Sequence, residues 1–186
     1  MSLTVAVIVG STRQGRFAET VSTWFTTRAK AHDGLRLDVI DLHDAGIPDR
    51  LTDDPPAAVQ AVSPRLAAAD AFVVITPEYN HSYPASLKAL IDWHFTEWQA
   101  KPVAFVSYGG ISGGLRAVEH LRAVFAELHA VTIRDGVAFP HCWSRFDDTG
   151  SPADPHADQA VEKTLDQLTW WAQALRDARA SRPYAA

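Results

Sequence analysis

Three short runs of this chain are apolar at almost every position: Leu3–Val9 (LTVAVIV), Asp70–Thr76 (DAFVVIT) and Pro102–Ser107 (PVAFVS). A strand with one wet face alternates apolar and polar residues. A run without that alternation, rich in Val and Ile, suits a strand buried on both faces, and such strands belong to parallel sheets covered by helices. The segments between the runs have helical period instead. Phe17, Val21, Trp24 and Phe25 share one face of a helix over 17–31, and Leu87, Leu90, Ile91 and His94 one side of a helix at Ser86–Phe95. Val118, Leu121, Phe125 and Leu128 repeat as a stripe along Leu115–Leu128.

Leu35–Ile40 alternates and reads as a second strand nearer the sheet edge; Val131–Ile133 is a weak fifth. Gly46, Pro48, Pro55 and Pro56 make 41–56 a loop, and a helix at Ala57–Ala69 is interrupted or bent near Pro64. A polar, turn-rich stretch at Arg134–Pro155 leads to a last helix over Ala157–Ala178, and residues 181–186 are expected to be mobile. The 186 residues, 47% apolar and 21% charged, suit a single domain over 1–186 with a sizeable core. The expected architecture is α/β: a three-layer, doubly wound fold with a five-stranded parallel sheet in the order 2-1-3-4-5 and right-handed crossovers. In such folds ligands sit beyond the carboxyl ends of the strands.

A formal net charge of −5, with no run of Lys and Arg, argues against a nucleic-acid partner. The one cysteine, Cys142, excludes an intramolecular disulfide and a cysteine-rich metal cluster; no metal is expected, and a reducing cytoplasm suits the chain. Cys142 reads as a small buried residue, with a reactive thiol as the alternative. No leader-like segment precedes the strand at Leu3, and no apolar run approaches the roughly 20 residues of a membrane span. A cytoplasmic protein without a membrane partner is expected.

Three loops follow the three apolar runs. The first, Gly10-Ser11-Thr12-Arg13-Gln14-Gly15-Arg16, opens a helix, where backbone N–H groups lack intrahelical partners and the helix dipole is positive. Two hydroxyls and two arginines there suit a phosphate monoester. The loop is neither GxGxxG nor a Walker P-loop. The second, Thr76 to Pro84, combines two prolines with Tyr79, Asn80 and His81, a stiff backbone with polar and flat groups that suit a planar heteroaromatic ring. The third, Ser107 to Gly114, has four glycines, which let backbone approach a ligand closely. Each loop has an ordinary reading too, as a helix cap, a locally bonded turn or a flexible connector. Their coincidence at three strand ends is what points to a ligand.

These residues resemble the NADPH-dependent FMN reductase family of flavodoxin-like proteins. GSTRQGR at 10–16 is similar to the family's Gly-Ser-x-Arg loop, and TPEYNHSYPASLKALIDW at 76–93 to its Pro-Glu-Tyr-Asn loop and following helix. SYGGISGGLRAVEHLR at 107–122 is similar to its glycine-rich third loop. The likeness runs from Val5 to Leu128. The resemblance implies that Ser11, Arg13, Gln14 and Arg16 hold the phosphate of FMN. It implies that Pro77, Glu78, Tyr79, Asn80 and His81 border the ribityl chain and isoalloxazine, with Ser107, Tyr108, Gly109 and Gly110 facing the ring from the other side. The sequence departs from the family where Arg16 stands for a frequent Ser, and where Pro84-Ala85 and Lys88-Ala89 stand for Pro-Gly and Lys-Asn.

What the resemblance implies for function is an FMN-dependent oxidoreductase that takes hydride from NADPH or NADH and reduces a small acceptor such as a flavin, quinone, azo dye or metal oxyanion. Flavin carries that chemistry itself, so no side chain is named as catalytic; Lys88 and Asp92, four apart on a helix, read as a surface ion pair. The resemblance also implies a homodimer, or a tetramer, with Trp93, His94 and Trp98 as candidates to line the interface. Two other readings are a flavodoxin-type electron carrier that docks on proteins and a reductase component supplying reduced flavin to a monooxygenase.

Overall fold

The computed structural model describes residues 2–185. Its strands are β1 (Leu3–Val9), β2 (Leu35–Asp41), β3 (Ala71–Pro77), β4 (Pro102–Tyr108), β5 (Val131–Thr132) and β6 (Val137–Phe139). All pair in parallel in the order β2-β1-β3-β4-β5, with β6 also on β4. β5 pairs with Pro102 and Val103 and β6 with Val106 to Tyr108, so the two pieces share the fifth sheet position. The expected order 2-1-3-4-5 is therefore present, but its fifth strand resumes inside the stretch read as loop. The interruption falls at 133–136. There Gly136 lies so close to β4 that a Cβ would stand 2.7 Å from the carbonyl oxygen of Phe105.

β1, β3 and β4 have no exposed position. Their two-residue period divides the side chains between two cores. Val5, Val7, Val9, Val73, Ile75, Ala104 and Val106 pack toward α1 (Ala18–Lys30) and α6 (Ala157–Ser181). Ala6, Ile8, Phe72, Val74, Val103 and Phe105 pack toward α3 (Ala57–Ala68), α4 (Ala85–Asp92) and α5 (Leu115–Glu127). Each fully buried Val, Ile, Leu or Phe contributes about 1.5–3 kcal/mol, so the layering dominates the stability of this sheet.

Several local features differ from the sequence reading. A single turn, α2 (Leu42–Ala45), occupies the start of the 41–56 loop; Asp41 caps it by accepting from the His43 N–H, and Gly46 closes it at φ 61°. α3 runs unbroken through Pro64, because buried Val59, Val62 and Leu66 hold it to the sheet although proline cannot donate to the carbonyl one turn back. α4 ends at Asp92, short of Phe95. Beyond it, Trp98 is fully buried against Phe72 and Phe125, its indole N–H donating to the His94 carbonyl at 2.9 Å. His94 is itself buried, with Nδ1 2.8 Å from the Leu90 carbonyl. These two interface candidates are thus core residues. Trp93 stays half-buried, donating to the Pro48 carbonyl at 2.8 Å. α6 continues to Ser181, and the Tyr184 hydroxyl lies 2.8 Å from His129 Nδ1. Ala186, the end of the segment expected to be mobile, lies outside the described residues.

Gly113 and Gly114 turn the chain from β4 into α5 with φ of 63° and 88°, a region that side chains disfavour. A Cβ on Gly114 would stand 2.6 Å from Ser107 Cβ. Gly114→Ala is therefore expected to destabilise the fold by about 1–3 kcal/mol. A urea melt checks this as a lowered midpoint at unchanged slope; a midpoint equal to the parent's contradicts the geometry.

Candidate functional site

β1, β3 and β4 are neighbours in the sheet, so the loops that leave their carboxyl ends open at one edge. In the first loop Ser11 is buried while Thr12, Arg13, Gln14 and Gly15 are exposed. Among the described residues, no backbone N–H from Ser11 to Gly15 donates to a protein acceptor. Unpartnered amides followed by the positive end of a 13-residue helix favour an anion. Arg13 adds an exposed cation.

Arg16 is turned the other way. Its side chain is only 6% exposed and forks onto Asp41 through two contacts of 2.6 Å, with a third to the Ser11 carbonyl at 2.5 Å. Asp41 holds the guanidinium pKa above its usual value. Asp41 ends β2 beside β1, so the pair braces the first loop against the sheet edge. The structure thus brings Arg16, named for the phosphate, onto a carboxylate, and Arg13 is the outward-facing arginine of the loop.

The second loop begins inside the sheet, since Pro77 is the buried last residue of β3. Tyr79 and Ser82 exchange backbone hydrogen bonds of 2.8 and 3.0 Å around Asn80 and His81, which have φ of 48° and 74°. Two consecutive left-handed residues define a type I′ turn, in which non-glycine residues carry strain. The Tyr79 hydroxyl and Ser11 Oγ are 2.8 Å apart and join this loop to the first. The Glu78 side chain is 10% exposed; its carboxylate accepts from Ser112 Oγ and pairs with Arg116 Nε at 3.2 Å. Arg116 Nη1 reaches His81 Nδ1 at 2.7 Å.

In the third loop, Ser107 Oγ donates to the Gly113 carbonyl at 2.8 Å. The carbonyls of Gly109 and Gly110 accept from the N–H groups of Cys142 and His141, at 3.1 and 2.8 Å. A Cβ on Gly110 would meet nothing within 4 Å, so that backbone is open. Tyr108 instead turns inward against Phe17, with ring centroids 6.2 Å apart. It is buried, its hydroxyl has no hydrogen-bond partner among the described residues, and burial pushes the phenol pKa up. Its period-2 position in β4 aims it at the α1 core. Cys142 is fully buried with a raised thiol pKa, which removes the reactive-thiol alternative. Lys88 and Asp92 form the surface pair, with contacts of 2.6 and 2.7 Å.

The residues fit a phosphate-bearing planar ligand such as FMN. The first loop offers amides, hydroxyls and an outward-facing guanidinium to a dianion, and Gly110 leaves room at the rim. Sequence reasoning missed Asp41, Ser86, Ser112 and Arg116. Ser86 Oγ donates to the Gly10 carbonyl at 2.7 Å, fixing the root of the first loop. An acidic residue ending β2 and an arginine inside GGLRAVEHLR were the available signals, and neither announces its partner.

The sheet order and the three loops define a flavodoxin-like oxidoreductase. Residues 3–144 match the model of the NADPH-dependent FMN reductase family, and the chain belongs to that family. An NAD(P)H-dependent FMN reductase of Schizosaccharomyces pombe is 35% identical over 121 residues, which are 59% of this chain and 60% of that protein. A probable NADPH:quinone oxidoreductase 2 of rice (Oryza sativa subsp. japonica) is 31% identical, covering 100% of this chain and 96% of its own. Among solved structures, the flavoenzyme NAD(P)H:(acceptor) oxidoreductase FerB from Paracoccus denitrificans superposes with a TM-score of 0.74 at 26% identity, over 92% of this chain and 98% of its own. The protein is an oxidoreductase with FMN as its cofactor and NAD(P)H as electron donor.

The opposite settings of the two arginines give an expectation for the flavin-free protein. Arg16→Leu removes charge-assisted bonds from Asp41 and should destabilise by about 1.5–3 kcal/mol. Arg13→Leu should stay within about 0.5 kcal/mol of the parent. Thermal melts of both variants without FMN check the pair; equal losses would contradict the bracing role of Arg16.

Proposed function

We propose that Ser11, Thr12, Arg13, Gln14 and the amides through Gly15 hold the FMN phosphate. Pro77 to Asn80 border the ring, and Gly109 and Gly110 face it from the third loop. The observation that carries this reading is the row of unpartnered amides from Ser11 to Gly15 beside an exposed arginine. Arg16 shapes that row through Asp41 and the Ser11 carbonyl. Tyr79 sets the distance between phosphate and ring loops through Ser11. Arg116 neutralises Glu78, so no bare carboxylate faces a bound anion. When bound, FMN accepts two electrons from NADPH or NADH and gives them up to an acceptor. The acceptor in this reading is a quinone or a free flavin, following the rice relative and the family name.

The reading extends to a single domain over 1–186 acting in the cytoplasm as a homodimer. The lone cysteine supports the compartment, and no helix among the described residues is long and apolar enough to cross a membrane. Exposed Ile111 and Leu115 at the third loop support association.

Arg13→Ala should weaken FMN by about tenfold or more and leave riboflavin, which lacks the phosphate, nearly unchanged. The parent should oxidise NADPH with a simple benzoquinone as acceptor, giving parallel double-reciprocal lines. Equal losses for the two flavins would remove the phosphate assignment. Turnover with a protein acceptor alone would favour the electron carrier.

A further inference from the structure

The tip of the second loop is held by one side chain from another element. Arg116, in the first turn of α5, reaches Glu78 at the base of the loop (3.2 Å) and His81 at its tip (2.7 Å). Ser112 bonds the same carboxylate from the third loop. Between the two anchor points lies the left-handed Asn80, and His81, the second anchor, is left-handed too. A guanidinium has donors and no acceptor, so His81 Nδ1 must receive this bond through its lone pair. The ring is then neutral, with its proton on Nε2.

We propose that Arg116 is a positioning residue for the flavin-bordering turn, acting through the unprotonated Nδ1 of His81 and the carboxylate of Glu78. The bracket keeps a strained turn closed at no cost in net charge, since Arg116 offsets Glu78. His120, also on α5, meets the end of the same turn, with its Nδ1 2.9 Å from Ser82 Oγ and its ring centroid 6.3 Å from that of His81.

The affinity part of this inference rests on the FMN site proposed above; the tautomer does not. In flavin-free, ¹⁵N-labelled protein near pH 8, long-range ¹H–¹⁵N spectra should show His81 with an unprotonated Nδ1 and a protonated Nε2. Arg116→Met should give a mixture of tautomers. The second arm measures FMN dissociation constants by fluorescence quenching near pH 8. His81→Gln keeps a side-chain oxygen that accepts from Arg116 and should match the parent, while Arg116→Met should bind FMN about tenfold more weakly. A His81→Gln variant as weak as Arg116→Met, or unaltered FMN affinity in Arg116→Met, overturns the proposal. A mixture of tautomers in the parent overturns it too. No FMN binding by any variant, with the single tautomer present in the parent, would instead overturn the FMN assignment of the loops.

Discussion

The structure depends on three adjacent parallel strands that have no wet face. Because β1, β3 and β4 are buried on both sides, their polar connections can leave the sheet only at its ends. Parallel pairing then puts the three following loops at the same end. The register is set by which residues face α1 and α6 and which face α3, α4 and α5; a one-residue slip would exchange Ile8 and Phe72 with Val7 and Val73 across both cores. The loops inherit that rigidity through a few bonds: Ser86 to Gly10, Tyr79 to Ser11, the Glu78 N–H to the Tyr108 carbonyl, and Ser107 to Gly113. The first and second loops are therefore fixed relative to each other, which would limit the ordering cost of binding a ligand there.

Charge is distributed to the same end. Arg16 is matched by Asp41 and Glu78 by Arg116, so these four side chains shape loops and add little net field. What is left uncompensated is Arg13, the amides of Ser11 to Gly15 and the end of the α1 dipole. A chain with a formal charge of −5 thus presents a local site for a dianion. Specificity comes from this local balance and not from overall charge.

Much of the fold was legible because its cause is local. Uninterrupted apolar runs announce buried strands, and right-handed crossovers between them narrow the possible sheet orders to a few, of which 2-1-3-4-5 is one. The first loop was legible as a candidate anion site, a sequence of hydroxyls, arginines and glycines at a strand end. What escaped is what depends on partners distant in sequence. Nothing in GSTRQGR says that Arg16 meets Asp41, 25 residues on. The same holds for Arg116, which reaches back 35 residues to His81. Trp98 could be read as an interface or a core residue, because an isolated tryptophan carries no sign of Phe72 and Phe125, against which it packs. β6 was hidden because three residues between a glycine and a proline give too short a run for period to speak.

The central claim is that the backbone of Ser11 to Gly15 receives a phosphate. It is tested most directly by amide ¹H–¹⁵N spectra of the flavin-free protein titrated in parallel with FMN and with riboflavin. The account predicts that the amides of Ser11 to Gly15 shift strongly downfield with FMN and hardly at all with riboflavin. Shifts of the second and third loops should appear with both. If those five amides respond equally to the two flavins, or not at all while FMN binds, the phosphate lies elsewhere and the account is contradicted.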